Sequence, residues 1–188
     1  MSNSALTNAI IITLLLFFTT LTVGWVGSSQ NPEVGDSLMS LFEKEVAGQI
    51  DGTNPYDMVI KLFANNLEAC LLLFLGGASF GILTIFIMSI NGIVIGAIME
   101  IVSKEHSALF VAAALIPHGI FEIPAFILSG ALGILLAQSL IAEWYGRGDT
   151  AGAAQAFARL FLMFVLPLIT AAACVEAFIT PIVIQLVA

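Results

Sequence analysis

Residues 107–142 read SALFVAAALIPHGIFEIPAFILSGALGILLAQSLIA, and this stretch decides the fold. It is apolar almost throughout, and a helix needs only about 20 apolar residues to cross a bilayer. Inside it stand His118 and Glu122, with Pro117, Gly119 and Pro124 around them. A carboxylate in hydrocarbon costs roughly 2.5–3.5 kcal/mol even on a mild insertion scale. A chain keeps such a group when it has a partner, a water-filled cavity or a chemical task. His118 and Glu122 stand at i,i+4, so on a helix both lie on one face and within reach of each other. The stretch therefore predicts an integral membrane protein with a polar site inside it.

Composition agrees. Of 188 residues, 60% are hydrophobic and 10% charged, against about 25% charged in a soluble domain. The net charge of −8 comes from 13 acids and 5 bases. No Lys/Arg cluster offers a surface to nucleic acid or anionic lipid. The acids concentrate in residues 27–66, as suits a water-facing loop. Cys70 and Cys174 lie in apolar runs without metal-type spacing, so both are expected to be small buried hydrophobes.

Outward from the central stretch, Ala5–Val26 is long enough to span and lacks the basic start of a signal peptide. Trp25 sits at its exit, and residues 27–32 read as a linker. Residues 33–50 suggest an amphipathic helix, extramembrane or interfacial, capped by Asp36 or Ser37. A turn follows at 51–55, where Asn54 caps a new helix with Pro55 at its first position. That helix is expected to run into a span over Leu67–Ile90. Asn91-Gly92 reads as a break, leaving Ile93–Val102 too short to cross upright. Ser103–His106 must reach water, and Ser107–Ile116 is a second half-length piece ending at Pro117-His118-Gly119. Ile123–Ala142 and Phe157–Val187 complete the spans, the last kinked by Pro167 and Pro181. The expected fold is an all-α membrane protein with about four full transmembrane helices plus interrupted half-helices. Its organisation is an anchor and linker (1–32), an acidic amphipathic segment (33–66) and a multi-span domain (67–188).

The polar residues of the spans are Asn65, Asn66, Glu68, Asn91, His118, Glu122 and Glu176. One reading is a hydrogen-bonded cluster tying broken helices together. A second is a carrier or channel for a proton, metal ion or small solute, with Glu122 and His118 in the path. A third is an intramembrane metal-dependent hydrolase. No His-Glu-x-x-His helix or Gly-x-Ser-x-Gly elbow occurs, so no catalytic residue is assigned. The sequence requires no cofactor; the one candidate is a divalent metal on His118, Glu122 and Glu176, fewer donors than most zinc sites hold. Glu68, Glu122 and Glu176 are evenly spaced, but their surroundings match poorly and the spacing reads as coincidence. Gly77–Gly81, Gly92–Gly96 and Ser129–Gly133 are small-xxx-small patterns that let helices approach closely.

Taken together, Asn65-Asn66, the glycine-rich run, Asn91-Gly92, His118-Gly119-x-x-Glu122 and Val175-Glu176-Ala-Phe-Ile-Thr-Pro181 resemble the stage II sporulation protein M family. The resemblance covers roughly residues 40–188. The family takes its name from a bacterial membrane protein that works with a peptidoglycan-degrading partner and another membrane protein during forespore engulfment. The resemblance implies a multi-pass membrane protein acting as a scaffold for partners. The expected function is that of a non-enzymatic component of the cell membrane, in a homo-oligomer or with other membrane proteins. The resemblance does not imply sporulation, since similar proteins occur in organisms that make no spores, and it brings no catalytic residues with it.

Overall fold

The computed structural model describes residues 3–31, 33, 35, 37, 40 and 54–187. Among these, all regular structure is helical. The elements are α1 (Asn3–Gln30), α2 (Pro55–Leu75), α3 (Ile82–Glu105), α4 (Ala108–Trp144), α5 (Thr150–Leu160), α6 (Leu166–Phe178) and α7 (Thr180–Gln185). A 3₁₀ turn at Gly76–Ser79 follows α2, and a π-helical turn at Phe161–Val165 joins α5 to α6. Among the described residues, five helices are long and apolar enough to cross a membrane: Ser4–Gln30, Pro55–Ser79, Ile82–Lys104, Ala108–Trp144 and Thr150–Phe178. The all-α membrane fold is as expected, with one more span than the expected four or so.

Several helix starts follow from local chemistry. The Asn54 carboxamide oxygen accepts from the N–H groups of Tyr56 and Asp57 at 2.8 and 3.0 Å, and Pro55 follows in the first turn. These are donors that the helix itself cannot satisfy. Ser107 Oγ accepts from Phe110 N at 3.2 Å to open α4, and Asp149 Oδ1 from Gly152 N at 2.9 Å to open α5.

The interruptions lie elsewhere than expected. Asn91-Gly92 does not break the chain; α3 runs unbroken from Ile82 to Glu105. Asn91 folds its amide back to the Ile87 carbonyl, 2.9 Å away within the same helix. Nor does Pro117-His118-Gly119 divide α4, a single helix of 37 residues holding both Pro117 and Pro124. In hydrocarbon a freed backbone group finds no water, so the helix is the least costly way past a proline. The chain turns instead inside the expected span Leu67–Ile90. There Phe80 (φ 56°) and Gly81 (φ 85°) both take left-handed backbone angles. Only glycine adopts this conformation readily. The Ser79 hydroxyl accepts from Leu83 N at 2.9 Å, and the Thr84 hydroxyl donates to the Leu73 carbonyl at 2.9 Å, closing the α2–α3 hairpin.

Two smaller expectations also change. Residues 27–30, read as linker, belong to α1. Cys174 is exposed, whereas Cys70 is buried as expected. The amphipathic helix over 33–50, its cap and the turn at 51–55 fall largely outside the described residues. Pro167 and Pro181 do mark changes in the last span. The π-helical turn ends just before Pro167, and α7 begins afresh at Thr180. A widened turn accommodates the carbonyl that a proline leaves without a donor.

Packing is organised around α4, whose segment Ala125–Ala137 holds most of its buried residues. The most extensive helix pair is α1 with α3. A Cβ on Gly24 would overlap the backbone of Ile93, one on Gly92 would meet Thr20, and one on Gly96 would overlap the backbone of Leu21. Phe17 and Thr20 of α1 lie against Gly92, and Trp25, further along α1, lies against Gly96, so α1 and α3 run parallel. A Cβ on Gly77 would likewise overlap the Gly133 carbonyl. The small-xxx-small glycines therefore pack within one chain. Thr13 Oγ1, 3.2 Å from the Ile127 carbonyl oxygen, adds a polar link between α1 and α4.

Candidate functional site

Three of the seven candidate residues come together. His118 and Glu122 occupy adjacent turns of α4, and Glu176 approaches from α6. His118 Nδ1 lies 2.5 Å from Glu176 Oε2, and His118 Nε2 lies 3.9 Å from Glu122 Oε2. The imidazole therefore stands between two carboxylates, one on its own helix and one on a neighbour. The contact with Glu176 is a close ion-pair approach without a well-directed hydrogen bond on either atom. The side chains are 19% (His118), 31% (Glu122) and 27% (Glu176) exposed, so the group is half-buried rather than sealed.

α4 positions this group because its prolines are passed without a break. Were the chain interrupted at Pro117, His118 and Glu122 would have no fixed phase on one face. With the helix intact they share a face directed at α6, which also packs against α2. Glu176 lies near the C-terminal end of α6, shortly before the chain bends at Ile179. The Thr180 hydroxyl, buried at that bend, sits 3.4 Å from the Val175 carbonyl oxygen.

The other four candidates lie apart from this contact. Asn91 is engaged with its own backbone. Asn66 is partly buried on α2, and Asn65 and Glu68 are exposed on the outer side of that helix. Among the described residues, no group of three or more His, Cys, Asp or Glu side chains is placed to hold a metal ion. Gathering His118, Glu122 and Glu176 into one neighbourhood therefore does not converge their donor atoms on one point.

Glu100 is a polar residue that sequence reasoning passed over. It is 4% exposed, with Oε1 2.7 Å from Lys104 Nζ. Its Oε2 has no hydrogen-bond partner among the described residues, nor has the buried Ser28 hydroxyl. The signal was present as an i,i+4 Glu/Lys pair closing an apolar run. It resembled an ordinary water-facing helix end, and only the packing of α3 shows the carboxylate to be inside.

The profile of the family described as Stage II sporulation protein M matches residues 13–181. The chain belongs to the stage II sporulation protein M family. Two relatives come from Methanocaldococcus jannaschii, both uncharacterized proteins. One is 26% identical over 176 residues, covering 92% of this chain and 93% of the relative. The other is 28% identical over 110 residues, 57% of this chain and 48% of the relative. No solved structure matches. The family match takes in all seven candidate residues and the whole of α2, α3, α4 and α6.

Proposed function

We propose that this chain is a non-enzymatic, multi-pass component of the cell membrane that serves as a scaffold for other membrane proteins, with His118 and Glu176 acting as an internal clasp. The observation that carries this reading is the 2.5 Å approach of His118 Nδ1 to Glu176 Oε2 between α4 and α6. A polar contact between two spans holds their register where apolar surfaces slide, because lipid tails and leucines are equally apolar. The family's multi-span character supports the same reading. The test is the yield and unfolding temperature of purified His118→Ala and Glu176→Gln against wild type. Loss of folded protein in both supports a clasp; two variants as stable as wild type would sink it.

A second reading has its own observation. The three side chains remain partly exposed, and an imidazole between two carboxylates is suited to passing a proton. On this reading the chain is a proton or solute carrier. Proton flux in liposomes that Glu122→Gln abolishes, in a variant that still folds, would favour it over the scaffold. The hydrolase reading gains no observation from the site.

A further inference from the structure

We propose that the outward face of α2 around Asn65 and Glu68 is the surface on which two copies of this chain meet inside the membrane. The inference rests on the reading of α2 as a membrane-crossing helix. Asn65 and Glu68 are both exposed, on a stretch from Pro55 to Ser79 long and apolar enough to span. At about 1.5 Å per residue, Glu68 lies about 20 Å from the Pro55 end, near the middle of a hydrocarbon core about 30 Å thick. A carboxyl and a carboxamide facing lipid at that depth are costly, and membrane proteins turn such groups toward protein. Among the described residues, nothing turns these inward. The inner side of α2 is already taken by Cys70, Leu73 and Phe74, which are buried in the core.

The chemistry favours a second copy over an unlike helix. Copies inserted in the same sense, related by an axis along the membrane normal, carry their α2 helices parallel. Each residue then meets its own counterpart at the same depth. A carboxamide is self-complementary, donating through its NH₂ and accepting through its oxygen. Asn65 can therefore pair with Asn65 of the second copy, and the Glu68 carboxyl can accept from the same amides one turn away. Ala64 is exposed beside Asn65. Its small side chain lets the two backbones come close enough for these bonds.

The experiment uses the full chain in native membranes, expressed as two differently tagged copies in a Cys174→Ala background. Asn65→Cys and Glu68→Cys are oxidised to disulfides, with Phe86→Cys as control, since Phe86 on α3 is 59% exposed. Cross-linked species carrying both tags at 65 and 68, and their loss at 86, are expected. Equal cross-linking at all three positions, none at 65 and 68, or cross-links there only to a different protein would overturn the proposal. Independently, the wild-type particle in mild detergent should have the mass of a dimer. The Asn65→Leu/Glu68→Leu double variant should fall to half that mass with its unfolding temperature kept. A monomeric wild type overturns the pairing whatever the cysteine variants do. Rapid labelling of Asn65→Cys by a membrane-impermeant maleimide would place α2 in water and overturn the spanning reading itself, which separates the two failures.

Discussion

His118 illustrates how one residue can link two helices. Its two ring nitrogens face carboxylates at unequal distances, 2.5 Å to Glu176 and 3.9 Å to Glu122. The nearer contact should carry more of the coupling. In thermal unfolding of the detergent-solubilised protein, Glu176→Gln should destabilise more than Glu122→Gln. A double-mutant cycle between His118→Ala and Glu176→Ala should return an interaction of about 0.5–3 kcal/mol. Additive effects would show that the two side chains are merely adjacent. Glu100 makes a second case. With its carboxylate buried and Lys104 its ion-pair partner, Lys104→Met should cost about 1–3 kcal/mol, the usual penalty of leaving a buried polar group unmet. Adding Glu100→Leu to that variant should recover much of the loss, because an apolar pair of similar volume carries no desolvation penalty. A double variant as unstable as Lys104→Met would contradict this account.

At the scale of elements, the glycines separate into those that permit contact and those that do not. Gly24→Leu or Gly96→Val should drive α1 from α3, because a Cβ at either position would overlap backbone of the other helix. Gly27→Ala, with nothing near its added carbon, should leave stability within about 0.5 kcal/mol of wild type. Thermal unfolding of the three variants decides the matter, and equal effects would mean that the α1–α3 approach is not the constraint. The same elements show what the sequence made legible. Asn54-Pro55 announced a helix start correctly, because a side-chain cap is a local matter. Asn91-Gly92 and Pro117-His118-Gly119 looked like breaks by the rules of water, where a freed carbonyl finds a hydrogen bond in solvent. In an apolar run that alternative is missing, so the helix continues and the signals mislead. Gly77 and Gly81 were read as packing glycines, and they are; that the chain also reverses there depends on the Phe80 and Gly81 backbone angles, which spacing does not encode. Of the candidate site, the His118–Glu122 neighbourhood was readable from i,i+4 spacing. The entry of Glu176 was not, since only the packing of α6 against α4 brings it near.

For the whole molecule, the core is distributed: α4 supplies its middle, and α1, α2, α3 and α6 pack around it. The N-terminal helix therefore packs as part of the core. It contributes Phe17, 1% exposed, and Thr13, fully buried, to the interior. Removing residues 1–31 should abolish accumulation of the folded protein. Supplying α1 as a separate chain in the same membrane should restore part of it, judged by protease resistance of α4. Full resistance without α1 would make that helix dispensable.

The parallel pairing of α1 with α3 also has a consequence for how the chain is made. Neighbours in sequence run antiparallel across a bilayer, so α1 cannot settle against the next helix to emerge and must wait for the one after. At about 5–20 residues per second, the ribosome takes several seconds to reach the Gly92–Gly96 face after α1 has left the exit tunnel. Through that interval the Gly24 side of α1 has no partner. The timing of translation, as much as the final contacts, should govern how many newly made chains reach the assembled state.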